Sequence, residues 1–230
     1  MTVLGIVPAR GGSKGLPNKH LRVLGGQSLL ARTAEAVRSS RSLTRTVLST
    51  DDPAIAEAGR ALGFDVPFMR PAELAADEAP MLPVLQHAVQ TLARDGFQAD
   101  VVVLLQPTSP FRRAGHIDAA VELLAASGAD SVVSVVEVPH QFSPVSVLTL
   151  ADGRVRPYAS GPLVTRRQDK PRVYARNGPA VLAVRVSVLE RGDLYGDDCR
   201  PLIMTPADSV DIDDQHDFDY AEFLLNRTRH

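Results

Sequence analysis

Ten residues near the start of the chain, Arg10-Gly11-Gly12-Ser13-Lys14-Gly15-Leu16-Pro17-Asn18-Lys19, hold two of only three lysines in a sequence that otherwise carries 22 arginines. A compact ammonium on a flexible stem can follow a phosphate oxygen as bonding changes, whereas a guanidinium fork holds one geometry. Three glycines within five residues let successive backbone N–H groups converge on an anion without interference from Cβ atoms. The pattern reads as a nucleoside triphosphate loop. Arg10 and Lys19 bracket the phosphates, the amides of Gly11, Gly12 and Gly15 line the bottom, and Ser13 and Lys14 complete the nucleotide-binding segment. It is not a P-loop, since Pro17 stands five residues after Gly12, and it lacks the G-x-G-x-x-G of a dinucleotide fingerprint.

Near the other end stands Ser209-Val210-Asp211-Ile212-Asp213-Asp214. In an extended stretch residues two apart point the same way, so Asp211 and Asp213 can offer two carboxylates to one place. That suits a hard cation: Mg²⁺ takes one or two carboxylates and completes its shell with water and substrate phosphates. A basic loop and an acidic pair together suggest nucleotidyl transfer, in which an oxygen attacks the α-phosphorus in line and displaces pyrophosphate. Catalysis is then positioning and charge neutralisation.

The elements that must position these groups are also legible. Apolar runs at 3–7, 46–49, 66–69, 101–105 and 132–138 read as strands. Helical patterns lie between them. One starts at Asp52-Pro53 and stops at Gly63, one covers 83–94 before Gly96, one covers 116–127 before Gly128, and another starts near Gln215. Near-continuous apolar strands alternating with amphipathic helices imply an α/β, Rossmann-like three-layer fold with a mostly parallel sheet. Ligands of such sheets sit beyond the strand C-termini, so the loops after Val7, Thr50, Met69 and Leu105 should face one crevice. Residues 1–230 read as a single domain. From 139 to 172 the alternation breaks, with five prolines, a hairpin signal at Asp152-Gly153 and the basic tract Arg166-Arg167-Gln168. This excursion is expected to be a dimerisation arm.

Composition narrows the partners. A formal net charge of −2 and the lack of a basic run leave no electrostatic case for nucleic acid or an anionic membrane. The single cysteine, Cys199, excludes an intrachain disulfide framework, and no apolar window approaches a bilayer's thickness. A cytoplasmic location is expected. His87 and His116 lack metal-ligand partners at suitable spacing and read as structural.

The opening segment from Ile6 to Lys19 resembles the signature of the acylneuraminate cytidylyltransferases, the CMP-sialic acid synthetases. Further matches run in order through Ser49-Thr50-Asp51, Arg70-Pro71-Ala72-Glu73-Leu74-Ala75, Leu105-Gln106-Pro107-Thr108-Ser109-Pro110, Arg166-Arg167-Gln168-Asp169, Asn177-Gly178 and Ser209-Val210-Asp211-Ile212-Asp213. The resemblance implies transfer of CMP from CTP to the anomeric hydroxyl of a 2-keto-3-deoxy nonulosonic acid, with Mg²⁺, in a homodimer. It places Arg10, Lys19 and Arg166 in catalysis, Arg70 near the nucleotide, and Gln106, Ser109, Arg166 and Gln168 with the sugar acid. Asp211 and Asp213 fall on the metal. Two departures border the base: His20 stands where many relatives have asparagine, and Met81 where close relatives carry serine. The rival readings are a cytidylyltransferase-fold enzyme with a different acceptor or nucleotide, a glycosyltransferase using Asp211-x-Asp213, and a nucleotide sensor without turnover.

Overall fold

The computed structural model describes residues 1–13, 15–161 and 164–227. Strand β1 (Val3–Pro8) leads through a short ribbon, β2 (Val23–Leu24) and β3 (Gln27–Ser28), into helix α1 (Leu29–Ser39). There follow β4 (Arg45–Ser49), α2 (Pro53–Ala61), α3 (Met81–Arg94), β5 (Val101–Leu104), α4 (Ala114–Ser127) and β6 (Ser131–Glu137). A hairpin, β7 (Leu148–Ala151) and β8 (Arg154–Pro157), precedes β9 (Tyr174–Arg176), β10 (Leu182–Arg185), α5 (Val186–Glu190), β11 (Cys199–Met204) and α6 (Gln215–Arg227).

The central sheet has the order β11-β6-β10-β5-β1-β4, with β9 also on β6. Strands β1, β4, β5, β6 and β11 run one way, and β10 and β9 run against them. Every residue of β1 and β5 is buried, as strands covered on both faces must be. On one face Leu30 and Ala34 of α1, Ile55 of α2 and Ile117 and Leu124 of α4 pack over Val7, Val103 and Leu105. On the other, Leu85, Ala88 and Leu92 of α3 and Val188 of α5 pack over Ile6, Val102 and Leu104. A third, smaller cluster lies off the sheet and joins Leu16 of the basic loop to Val210, Ile212 and Phe218.

The helix grammar holds. Asp52 Oδ1 accepts from the amides of Ala54 and Ile55, and Gly63, Gly96 and Gly128 each take a positive φ at a helix end. Helix α3 begins at Met81, two residues ahead of the expected start, with Pro83 in the first turn where its missing N–H breaks no bond.

The strand expected at 66–69 does not form. Leu48 N donates to Asp65 O and Arg70 N to Thr50 O, but Pro67 has no N–H for the ladder, so the chain accompanies β4 with a single bridge at Asp65. Strands β9, β10 and β11 and helix α1 were not foreseen from the sequence. The hairpin forms at the expected turn, with Asp152 and Gly153 at φ 52° and 69°, but its strands pair only with each other. No helix among the described residues is long and apolar enough to cross a membrane.

Candidate active site

The loops after β1 and β5 and the connection ending at Arg70 and Met81 meet at the carboxyl side of the sheet. They line a cleft of about 210 Å³ with Arg10, Ser13, Lys19, His20, Arg70, Met81 and Gln106, joined by Pro8, Thr108 and Asp213. Two roomier hollows, one between α1 and the start of α4 and one beside β9 and β11, lie away from this group of charges.

The basic loop is tied down at both ends. Gly11 N donates to Asp51 Oδ1 at 3.1 Å, and a Cβ on Gly11 would stand 2.5 Å from Asp52 Oδ2. A Cβ on Gly15 would stand 2.4 Å from the carbonyl oxygen of Asp213, so this glycine permits the loop to lie against the acidic segment. Gly12 has open space around it. Lys14 lies outside the described residues. Asn18 turns the chain in the left-handed region at φ 52°, and the following single turn of 3₁₀ helix, Lys19–Leu21, buries Lys19 and His20.

Lys19 Nζ donates to Ile212 O at 2.9 Å and to Asp213 Oδ1 at 3.0 Å, joining residues 194 positions apart. The ion pair does not hold the ends together: with Asp213 78% exposed it is worth at most about 1 kcal/mol. Burying Leu16, Val210 and Ile212 contributes roughly 1.5–3 kcal/mol for each side chain, so the apolar cluster decides the approach. Because Val210 and Ile212 face that cluster, Asp211 and Asp213 are turned away from it, as the two-residue alternation requires.

Asp211 sits deeper than Asp213. Its Oδ1 is buried without a hydrogen-bond partner, and burial pushes its carboxyl pKa up; the neighbouring Thr108 hydroxyl pulls the other way, and the Asp213 charge adds to the rise. Gly178, at φ 114°, backs this carboxylate: a Cβ there would stand 3.1 Å from Asp211 Oδ2 and 3.3 Å from Ser109 Oγ. Ser109 is therefore buried beneath the site instead of lining the cleft. Gln106 Nε2 donates to Gly178 O at 3.1 Å, and Ile212 N to Thr108 O at 2.9 Å. These links join the β5 loop to the acidic pair.

A divalent cation fits this arrangement. The buried Asp211 Oδ1, with no donor on it, is poorly placed unless something positive arrives, and in front of it the carboxylate of Asp213 lines the cleft. Among the described residues no three His, Cys, Asp or Glu side chains gather at one point. A cation here would thus take Asp211 and Asp213 and leave its other positions to water and phosphate, the habit of Mg²⁺.

Electrostatics sort the remaining groups. Burial above all, reinforced by Lys19, Arg70 and Arg10, lowers His20 to about 4, so its imidazole is neutral at physiological pH, and its Nδ1 has no partner. Burial lowers Arg70 to about 10, which leaves it charged. Its Nε donates to Ser49 Oγ at 3.1 Å and its Nη2 to Ser49 O. Arg10 is ion-paired with Asp77.

Arg166 and Gln168 do not join these residues. Both are exposed, Arg166 Nε lies 3.6 Å from Asp169, and neither lines the cleft of its own chain. Thr108, Asp51 and Asp77, none of them singled out as site residues in the sequence, do take part. Thr108 and Asp51 lay inside matched blocks, while Asp77 in Ala-Ala-Asp-Glu-Ala carried no signal.

The cytidylyltransferase family profile matches residues 4–197. A CMP-N,N'-diacetyllegionaminic acid synthase of Legionella pneumophila is 34% identical over 98% of this chain and 97% of its own length. An N-acylneuraminate cytidylyltransferase of Escherichia coli is 31% identical over 95% of this chain and 51% of its own length. Among solved structures, a CMP:2-keto-3-deoxy-manno-octonic acid synthetase complexed with CTP superposes with a TM-score of 0.73 at 17% identity, over 99% of this chain and 100% of that one. A 4-diphosphocytidyl-2C-methyl-D-erythritol synthase from Anaerococcus prevotii gives 0.63 at 14% identity, over 98% and 96%. The chain belongs to the cytidylyltransferase family and has its Rossmann-like nucleotidyltransferase fold.

Proposed function

We propose that this cytidylyltransferase transfers CMP from CTP to the anomeric hydroxyl of a 2-keto-3-deoxy nonulosonic, sialic-acid-like sugar acid. The names of its relatives support this acceptor class. The observation that supports the chemistry is the meeting of Lys19 with Asp213, which line one cleft together with Arg10 and Arg70. The acceptor hydroxyl gives up its proton to water as its oxygen attacks the α-phosphorus, a new P–O bond forms, and the bond to the bridging oxygen breaks as pyrophosphate departs.

Arg10 and Lys19 hold the β- and γ-phosphates and stabilise the charge that accumulates on the leaving group, a task for preorganised cations in a site that excludes water. The loop glycines bring backbone amides to the same oxygens. Arg70 holds the nucleotide with a guanidinium that Ser49 fixes in place. His20 and Met81 border the base, the neutral imidazole offering one hydrogen bond and Met81 packing. Gln106 orients the sugar acid. Mg²⁺, held by Asp211 and Asp213, would supply charge neutralisation on the phosphates.

The protein works as a homodimer built through the 139–172 arm. Leu148 and Leu150 share one face of the hairpin with Val155, directly opposite Leu150, and all three are exposed. An apolar face of this kind without a core of its own suits a second copy. Arg166 and Gln168 stand on this arm, so their assignment to the sugar acid is met in the partner's cleft. A reaction that draws on CTP suits the cytoplasm.

The test is pyrophosphate release from CTP with neuraminic, legionaminic and pseudaminic acids, with and without Mg²⁺. Turnover with at least one acid, abolished by chelation, is expected. No turnover across the panel overturns the acceptor class, and full activity without divalent cations overturns the role given to Asp211 and Asp213.

A further inference from the structure

Behind the cleft lies a cation that the reaction does not touch. Arg112 ends the β5 loop, is 4% exposed, and has no carboxylate within ion-pair distance among the described residues. Burial lowers it to about 10, which leaves it charged at physiological pH. A buried charge without a counter-charge is costly, so what its donors hold matters. Its Nη1 donates to Gln106 O at 2.7 Å and to Ala180 O at 3.1 Å, and its Nη2 donates to Thr33 Oγ1 of α1 at 2.9 Å. One guanidinium thus joins the start of the β5 loop, the approach to β10 and helix α1. Of the residues it grips, Gln106 lines the cleft.

Gln106 is fixed twice by this arrangement. Arg112 holds its carbonyl, while its Nε2 donates to Gly178 O at 3.1 Å, in the same turn as the Ala180 carbonyl that Arg112 also holds. Ala180 N closes that turn on Asn177 Oδ1 at 3.4 Å. A planar fork can span several acceptors at fixed angles, which an ammonium on a flexible stem cannot. We infer that Arg112 is a positioning residue for the sugar acid, setting both the backbone of Gln106 and the turn that receives its amide. This inference rests on the reading that gives Gln106 the sugar acid. The nucleotide side of the cleft is anchored elsewhere: Arg70 on Ser49, Arg10 on Asp77, and Lys19 on Ile212 and Asp213. Because Ile212 N also reaches Thr108 O in the middle of the β5 loop, a loop that merely loosened would disturb CTP and the sugar acid alike.

The experiment is steady-state pyrophosphate release from CTP, with the acid that the wild type turns over, for the wild type, Arg112→Lys and Arg112→Met. The methionine variant should raise KM for the sugar acid by about 10- to 100-fold, the scale of misplacing a positioning group by about 1 Å. Its KM for CTP should stay within about twofold, as expected of independent sites. Arg112→Lys keeps the charge but not the fork, so it should fall between wild type and methionine, and it carries the test should the methionine variant not fold. In a Gln106→Ala background, adding Arg112→Met or Arg112→Lys should change KM for the sugar acid by less than about twofold, because no Gln106 amide is left to misplace. Equal rises in both KM values, no change in either, or the full effect persisting in the Gln106→Ala background overturns the assignment of Arg112 alone. A wild type without turnover on any acid of the panel overturns the proposed acceptor and this inference with it.

Discussion

In the cleft, Lys19, His20 and Arg70 are buried, and the cations Arg10, Lys19 and Arg70 each face a carboxylate. In the β7–β8 hairpin, Leu150 is 76% and Val155 65% exposed, and the strands pair only with each other. The cleft withdraws charge from water and offsets it internally, with cations and counter-charges all from one chain. The arm leaves apolar surface in water, a state that only a covering surface relieves. Phosphate binding and assembly are therefore separable in this molecule, whereas the sugar-acid contacts proposed for Arg166 and Gln168 depend on both.

The strongest way to break the comparison is Lys19→Ala. Turnover should fall by about 10²–10³, the scale of losing one preorganised charge at a developing anion, while the oligomeric state in light scattering is unchanged. A fall of less than tenfold would remove Lys19 from the phosphates. The reciprocal change is the pair Leu150→Asp and Val155→Asp. Both positions are exposed, so the unfolding free energy of the isolated fold should change by no more than about 0.5 kcal/mol, yet the proposed dimer should dissociate. A dimer that survives both charges in sedimentation would place the interface elsewhere.

The smallest expected effect concerns His20. Burial holds its folded pKa at about 4, below the 6.5 of an ordinary histidine. Above pH 6.5 both states are neutral and His20 contributes nothing to pH dependence. As pH falls from 6.5 toward 4 the unfolded chain takes up a proton that the folded chain refuses, so stability drops through that window. His20→Asn should flatten this part of the curve of unfolding free energy against pH. An identical slope in the variant would mean that the cleft does not hold His20 neutral.

Much of the fold was legible because its signals are local. Asp52-Pro53 begins a helix and Gly63 ends one through hydrogen bonds and backbone angles set within a few residues. One failure was local and the others were not. Pro67 left an apolar run without the donor a strand needs, a defect visible in the sequence but outweighed there by the hydrophobic pattern. Strand β10 runs against both of its neighbours, a direction set by the chain's return across the sheet and not by Leu182-Ala183-Val184 themselves. The burial of Ser109 beneath Asp211 and the pairing of Arg10 with Asp77 likewise depend on how distant segments pack.

By itself the sequence determined the chemical inventory: a glycine-rich loop with two lysines, two aspartates one residue apart, and apolar periods that demand a sheet covered on both faces. Residue type and short spacing suffice for these, because backbone freedom, side-chain charge and alternation act over a few bonds. The tertiary structure alone decided that Leu16 and Ile212 would share an apolar cluster and so draw Lys19 to Asp213, that Asp77 would take Arg10, and that Arg166 would stand away from its own chain's cleft. Those outcomes depend on burial and distance between remote segments, which no local pattern encodes.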